Sequence, residues 1–214
     1  TLLTREDEII FSNNIFENND SETGNTFESI GYVGDIDFSD SFFDVFASEY
    51  EDVSDYWVIS GDANSDFTGG SGELEAITED VWLSTSGNDS SSGLSESEAF
   101  LTLNRALSLI YPVPESPVTI NIAEGTYSPS TTGWSFPIFL IDNINLVGAG
   151  EELTIIDAEG DVTVIVIYEQ DNITISDLTI TGGSSNLGGG MSLYYSDPTL
   201  TNVTISGNGR GMNL

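Results

Sequence analysis

The sequence lacks cysteine, histidine and lysine, and its basic residues are limited to three arginines. Without cysteine, neither disulfides nor thiolate metal sites contribute to the fold. Against the three arginines stand 36 acidic residues, which give a formal net charge of -33. Nucleic acids and anionic membrane surfaces bind through positive patches, so this composition argues against both as partners. Cations are the expected partners, and the self-repulsion of such a charge indicates a salty medium, bound divalent ions, or both.

Long apolar runs are also missing. Runs such as VTVIVIY at 162–168 are far shorter than the roughly 20 residues that cross a bilayer, so no membrane insertion is expected. Apolar residues still make up 38% of the 214 residues, which is enough for a core. The chain begins at Thr1 without an initiator Met or a signal-peptide pattern. We therefore expect a processed product or a segment of a longer polypeptide. The acidic charge fits salty or calcium-rich surroundings, so we expect a location outside the cell or on its surface.

Short strands recur at a nearly constant spacing in the second half of the chain. Stretches led by Asn143 (NINLVGAG), Asn172 (NITISDLTI) and Asn202 (NVTISGN) lie 29 and 30 residues apart. In each stretch apolar and polar residues alternate with the period of two of a half-buried strand, and a Gly- or Asn-rich turn follows. The pattern predicts an all-β parallel β-helix, whose stacked coils bury a continuous apolar column. A β-sandwich with irregular hairpins is the alternative.

One amphipathic helix is expected before the first coil. In SESEAFLTLNRALSLI at 95–110, apolar residues recur at steps of three and four. Either Ser95 or Ser97 can serve as its N-cap, and Pro112 and Pro114 end it. The pattern predicts a helix near 97–110 that covers the open end of the apolar column.

The region 81–214 resembles a known family. Its segments VWLSTSGNDSSSGLSESEAFLTLNRALSLI, TINIAEGTYSP, INLVGAGEELTIIDAEG and NITISDLTITGG are similar to the opening of pectate-lyase-like right-handed β-helix proteins, in particular bacterial and archaeal surface proteins with a domain of unknown function. The resemblance implies a right-handed single-stranded parallel β-helix with an N-terminal capping helix and an Asp- and aromatic-rich cap segment. It is specific for fold and weak for activity, because that superfamily includes lyases, hydrolases, adhesins and repeat scaffolds.

The predicted organisation has three parts. Residues 1–20 are expected to form a β-helix coil that completes a neighbouring unit, 21–80 an acidic, aromatic-rich cap or linker, and 81–214 the β-helix proper. In the resembled surface proteins a segment like 21–80 closes the C-terminal end of a β-helix, so the order here is inverted.

The two ends of the chain match one another as parts of a coil. GMNL at 211–214 matches GMSL at 190–193, and reading on from Leu214 to Thr1 continues the coil pattern. We therefore expect one unit of a linear array, formed either by tandem repeats or by stacked subunits. The alternative is a fragment whose similarity is common to any two coils. The residues predicted to form the junction are Thr1, Leu2, Ile9, Ile10, Gly211, Met212 and Leu214.

Acidic clusters in the first part suggest calcium as a cofactor. In DANSDFTGGSGE, the residues Asp62, Asn64, Asp66 and Glu73 occupy positions one, three, five and twelve of an EF-hand-type loop. The match departs from the motif at position six, where Phe67 replaces glycine. The alternative is an ordinary solvated acidic loop. A second cluster of hard oxygen ligands is formed by Asp35, Asp37 and Asp40, and a third pair by Asn88 and Asp89.

Four sequons predict sites for N-linked glycans, at Asn19, Asn88, Asn172 and Asn202. For Asn172 and Asn202 the alternative is an asparagine ladder, because both stand at the position on which the repeats align.

The sequence supplies no convincing catalytic group, and we do not expect an enzyme. A lyase of this fold needs a base beside the uronate carboxylate, and the basic candidates are Arg5, Arg105 and Arg210. A hydrolase would use paired carboxylates such as Asp157, Asp171 and Asp177, but acidic pairs arise by chance in a chain with 36 of them.

The sequence therefore predicts a structural unit of an extracellular filament, surface layer or repeat array, whose partners are copies of itself joined end to end. The alternative is an adhesin or carbohydrate-binding β-helix that binds surface glycans along its coils or through the aromatic segment around Trp57. A glycan-active hydrolase or lyase is the third hypothesis.

Overall fold

The structure is a computed structural model that describes residues 77–160, 162–186 and 188–209 in full. Of the remaining chain it describes only the strands within 9–75 and at 212–213. The chain divides into two compact units, one of Thr1–Ile77 with Ser108–Tyr111 and one of Thr78–Leu107 with Pro112–Leu214. The predicted boundaries at 20 and 80 stay predictions.

The described residues of the first unit form eight short strands, and the ladders between them are all parallel. They form three sheets, in the orders β1-β4-β7, β2-β5 and β3-β6-β8. The strands are β1 Ile9–Ile10, β2 Ile15–Phe16, β3 Phe27–Ser29, β4 Ile36–Phe38, β5 Phe42–Phe43, β6 Tyr56–Ser60, β7 Ser65–Phe67 and β8 Glu73–Glu75.

In the second unit the structure describes eleven strands, two short helices and one 3₁₀ turn at Glu96–Glu98. The helices are α1 Leu103–Leu109, which continues into the segment assigned to the first unit, and α2 Pro129–Thr132. The strands are β9 Val81–Leu83, β10 Val118–Ile122, β11 Gly125–Tyr127, β12 Ile138–Phe139, β13 Ile144–Gly148, β14 Thr154–Asp157, β15 Ile165–Tyr168, β16 Thr174–Thr181, β17 Met191–Tyr194, β18 Thr199–Ile205 and β19 Met212–Asn213.

The strands of the second unit wind into successive coils with three strand positions each. One coil is β10, β11 and β12, and the next is β13, β14 and β15. The long strands β16 and β18 each cover the first two positions of later coils, and β17 and β19 cover the third. Every ladder between these strands is parallel. The fold is therefore a parallel β-solenoid, as the repeat predicted, and the β-sandwich alternative is wrong.

The core of the solenoid consists of columns of aliphatic side chains. Ile120, Leu146 and Ile175 are paired in register on adjacent strands, and none of them exposes any surface. Their neighbours along each strand face outward, which gives the period-two pattern seen in the sequence. Burial of such a side chain stabilises the fold by about 1.5–3 kcal/mol, and each coil contributes one layer to every column.

Positive φ angles mark two corners of the coils and recur from coil to coil. Asn143 (φ 61°) and Asn172 (φ 55°) precede β13 and β16, while Asp177 (φ 58°) and Asn202 (φ 52°) lie within β16 and β18. Asparagine and aspartate tolerate the left-handed conformation better than other side chains. The corner residues therefore have a backbone reason to be Asn or Asp.

A hydrogen-bonded cluster ties helix α2 to the following coil. Ser128 caps α2 in a capping box with Thr131, and its hydroxyl donates to Glu159 Oε1 at 2.8 Å. The Ser130 hydroxyl donates to the same carboxylate oxygen. The bonds from Ser130 and Ser128 lower the pKa of the exposed Glu159 carboxyl, because they favour its charged form.

The single helix predicted near 97–110 is shorter than expected. Only Leu103–Leu109 is α-helical, and the 3₁₀ turn at Glu96–Glu98 is separate from it, because Ala99 adopts an extended conformation. The apolar residues Leu103, Ala106 and Leu107 are buried. The N-cap prediction was wrong for α1, since Ser95 precedes the 3₁₀ turn and forms no side-chain cap bond. Thr102 caps α1 instead, because its Oγ1 accepts at 3.1 Å from the amide of Arg105, the third residue of the helix. No helix in the described part of the chain is both long and apolar enough to cross a membrane.

Candidate functional site

The candidate functional site is the outward edge of the last described coil, formed by β18 and β19. Strand β18 pairs with β16 on one side, and β19 pairs with β17. Within the described residues no strand pairs with the opposite edge of either one. Backbone N–H and C=O groups on such an edge can bind a further parallel strand.

The apolar column is incompletely covered at the same place. Residues Ile175, Leu178 and Ile180 on β16 are fully buried. Their register partners Leu200, Val203 and Ile205 on β18 are only half-buried. The difference arises because no further coil among the described residues covers β18, and it leaves apolar surface beside the free edge.

Side-chain bonds between successive coils set the register up to this edge. Asn172 Nδ2 donates to Asn143 Oδ1 at 3.0 Å, which bears out the asparagine ladder at these two positions. Asn202 was wrongly aligned with them, because its Nδ2 donates instead to Asp177 Oδ1 at 2.9 Å. The coil that starts at Thr174 takes 25 residues to reach Thr199, whereas the preceding one takes 29 from Asn145 to Thr174.

A signal for the correct register was present in the sequence. DLTITGG from Asp177 matches NVTISGN from Asn202, and this pairing has the observed spacing of 25 residues. Asp177 stands where the next coil has Asn202, and both adopt the left-handed conformation, so the match becomes visible only when Asp and Asn are treated as equivalent.

The predicted junction residues are described only in part. Strand β19 pairs Met212 with Met191 and Asn213 with Ser192, which confirms the alignment of GMNL with GMSL. Ile9 and Ile10 form β1 and pair in parallel with β4. The other predicted junction residues, Thr1, Leu2, Gly211 and Leu214, lie outside the described residues.

The predicted calcium ligands are distributed over two sheets of the first unit. Asp37 on β4 pairs in register with Asp66 on β7, while Glu73 lies on β8 in another sheet. Outside the described residues lie Asp35, Asp40, Asp62 and Asn64. Within the described residues there is no group of three acidic side chains that could hold a metal ion. The calcium site stays a prediction.

Asp89, from the third predicted pair of hard oxygens, has a structural role. Its Oδ1 accepts from the amides of Leu101 and Thr102 at 2.8 and 2.9 Å, and its Oδ2 accepts from the Thr102 hydroxyl at 2.8 Å. Arg105 Nε donates to the Asp89 carbonyl at 2.9 Å. The carboxylate therefore holds the chain segment that enters α1.

The predicted glycosylation sites differ in their surroundings. Asn88 is exposed, and its Oδ1 accepts from the Ser90 amide at 3.0 Å. Asn172 and Asn202 are exposed as well, although each donates through Nδ2 to a neighbouring coil. Asn19 lies outside the described residues. Glycosylation at all four stays a prediction.

The carboxylates considered for hydrolysis lie at separate places on the coils. Asp157 ends β14 and its Oδ1 accepts from the Glu159 amide at 2.8 Å, while Asp177 accepts from the coil above it. Asp171 precedes β16, and its carbonyl accepts from the Asn143 amide. These contacts serve turns and coil stacking.

Comparison with known families agrees with this architecture. Residues 85–214 match the model of a family described as a protein of unknown function, DUF1565. The chain belongs to the DUF1565 family. This DUF1565 protein is accordingly a parallel β-helix protein of the type that the resemblance in 81–214 implied. No curated protein and no solved structure matches the chain.

Proposed function

We propose that this DUF1565 protein is a structural unit of an extracellular filament, surface layer or repeat array, extended end to end through its coils. The observation that carries the proposal is the edge of β18, which pairs with no further strand in the described part of the chain and lies beside the half-buried residues Leu200, Val203 and Ile205. A further coil stacked there would satisfy the backbone groups and cover the apolar column at the same time.

Parallel stacking in register also makes the contact selective. The added coil must place apolar side chains over the β18 column and polar side chains on its outer face, because a shift by one residue would exchange the two. A second copy of a solenoid with the same pattern meets that requirement. We therefore propose copies of this chain as the partners, either in tandem or as stacked subunits.

Charge is the main force against assembly. With a formal net charge of -33, two copies repel each other until salt screens them, and the screening length falls to about 10 Å at 0.1 M salt. Bound Ca²⁺ would act in the same direction. We accordingly propose that association requires salt or calcium, in keeping with an extracellular location.

Two finer features of the fold belong to the same proposal. We propose a right-handed winding, which connections between parallel strands strongly favour. We also propose that α1 acts as a capping helix and that the acidic, aromatic-rich segment at 21–80 closes a solenoid end. A capped end would not bind another copy, so growth would use an uncapped edge such as that of β18.

Light scattering coupled to size-exclusion chromatography tests the assembly. Particle mass should rise with salt or calcium for the wild type, and Val203→Asp should keep the protein monomeric by placing a charge beside the column. Thr201→Asp is the matched control, because it adds the same charge on the exposed side of the same strand. Circular dichroism checks that both variants retain the wild-type fold. A wild type that stays monomeric at every salt and calcium concentration would overturn the proposal.

A further inference from the structure

A groove lies on the outer face of the solenoid where β9, β10 and β13 are adjacent. Its volume is about 400 Å³, within the range of small-ligand sites. One row of its floor is Trp82, Asn121 and Val147, which the strand register places side by side. All three are half-buried and occupy outward-facing positions, each directly after a buried residue of its strand.

The next outward-facing row is built from small residues. Ser84, Ala123 and Ala149 follow the strand positions paired as Leu83, Ile122 and Gly148, and all three line the groove. Their short side chains leave the space beside the Trp82 row open. The groove therefore results from in-register stacking of large and small residues on three coils.

The wall of the groove comes from the 3₁₀ turn and is held firmly to β9. Glu96 and Ala99 line it. The Trp82 amide donates to the Gly93 carbonyl at 2.9 Å, and the Trp82 carbonyl accepts from the Phe100 amide at 2.9 Å. These bonds attach both ends of the turn to the strand that carries the indole. The relative position of Glu96 and Trp82 is thus preorganised.

The groups in the groove suit a ligand with many hydroxyls and an apolar face. The Trp82 indole offers a π face for C–H groups. Asn121 uses its Nδ2 to donate to the Val81 carbonyl at 3.3 Å, so its Oδ1 is the atom suited to accept from a ligand. The Glu96 carboxylate accepts charge-assisted hydrogen bonds, which are stronger than neutral ones.

Charge narrows the ligand class further. Among the described residues that line the groove, Glu96 is the one ionisable side chain. An anionic sugar would meet that carboxylate without a compensating cation, within a chain whose net charge is -33. A neutral sugar meets no such penalty.

We propose that this groove binds a small neutral saccharide, with Trp82 as the stacking platform and Asn121 and Glu96 as acceptors for its hydroxyls. The proposal does not rest on end-to-end assembly, because the groove lies on the outer face of coils remote in sequence from β18. It also differs from the glycan site predicted around Trp57, since it uses other residues.

A glycan array with neutral, uronic-acid and amino sugars identifies the probe, and titration with the tightest-binding neutral saccharide measures affinity. Trp82→Ala should weaken binding about tenfold or more, Trp82→Phe less, and Glu96→Gln several-fold, the magnitudes expected when one stacking or charged hydrogen-bonding group is lost. Tryptophan emission should change on binding for the wild type and not for Trp82→Phe. Ser176→Ala is the matched control, since Ser176 follows Val147 in the same ladder but does not line the groove.

Glu96→Gln keeps the test valid if Trp82→Ala disturbs folding, because Glu96 is exposed and keeps its shape as glutamine. Three results would each overturn the proposal. These are failure of every neutral saccharide to bind, a preference for charged sugars, and neutral-sugar binding that survives both Trp82→Ala and Glu96→Gln. Binding that is lost in Trp57→Ala and retained in the two groove variants is one form of the third result, and it would locate the site in the first unit.

Discussion

The close backbone contact between coils at Gly148 can be tested by the substitution Gly148→Ala, which adds a single methyl group. Gly148 ends β13, and an added Cβ would lie 2.9 Å from Leu178 Cβ and even closer to the carbonyl oxygen of Asp177. Both contacts are with the next coil. Since the carbonyl belongs to the backbone, it can move away only if the two coils separate locally.

Two opposing effects determine how Gly148→Ala should change the free energy of unfolding. The φ angle of Gly148 is outside the left-handed region, so loss of unfolded-state freedom alone would stabilise the variant by about 0.4–1 kcal/mol. Overpacking of a rigid site costs about 1–3 kcal/mol or more. The steric term should win, with a net loss of about 1–2 kcal/mol in the free energy of unfolding.

Gly133→Ala provides the matched control, because the physical cause of its cost is different. Gly133 has a φ of 73° and an added Cβ would meet nothing within 4 Å. Its expected cost of about 1–2 kcal/mol comes from the left-handed backbone alone. Gly133→Asn should recover part of this cost, because asparagine tolerates that conformation. Gly148→Asn should be at least as destabilising as Gly148→Ala.

The assay is urea unfolding at fixed salt, followed by far-ultraviolet circular dichroism and by tryptophan emission. Trp134 reports on the second unit, since it is buried and its Nε1 donates to the Leu101 carbonyl at 2.9 Å. The reasoning is refuted if Gly148→Ala unfolds at the same urea concentration as the wild type or at a higher one.

Three further substitutions test individual side chains by the same unfolding measurement. Thr154→Val should lower the free energy of unfolding by about 1–3 kcal/mol, because the buried hydroxyl donates to the Ala123 carbonyl and accepts from the Ala149 amide. Thr154→Ser keeps the hydroxyl and should be less destabilising. Unchanged stability in Thr154→Val would contradict a stabilising role for these two bonds. Glu159→Gln should be destabilising above the usual glutamate pKa of about 4.3. Its difference from the wild type in the free energy of unfolding should disappear as pH falls through the lowered pKa of the folded state. A difference in stability that does not depend on pH would contradict this prediction. Asn172→Ala should lower the free energy of unfolding by about 1 kcal/mol more than Asn172→Gly. Both variants lose the side-chain hydrogen bond to Asn143, but only alanine is strained in the left-handed conformation. Equal losses would show that the φ of 55° at this position does not affect stability.

Register between coils was predictable only where successive coils have similar lengths. Alignment on asparagine paired Asn143 with Asn172 correctly, because the intervening coil has the 29-residue length of the repeat. It failed for Asn202, since the next coil is shorter and brings Asp177 beneath it. Turn residues do not contribute to the period-two pattern. A coil with more or fewer turn residues therefore changes which residues of successive coils pair, while the pattern of each strand stays the same.

The sequence by itself determined the parallel β-solenoid and a helix within 97–110. The strands and the helix follow from the order of apolar and polar residues along a few consecutive positions, which local backbone geometry turns directly into buried and exposed faces. The solenoid follows from the recurrence of such strands at spacings of 29 and 30 residues. Only the tertiary structure decided that Trp82, Asn121 and Val147 share one groove, and that Ser128 reaches Glu159 in the next coil. These contacts depend on the number of residues in each turn, because that number sets which residues of successive coils become neighbours. The alternation of apolar and polar residues within a strand does not reveal it.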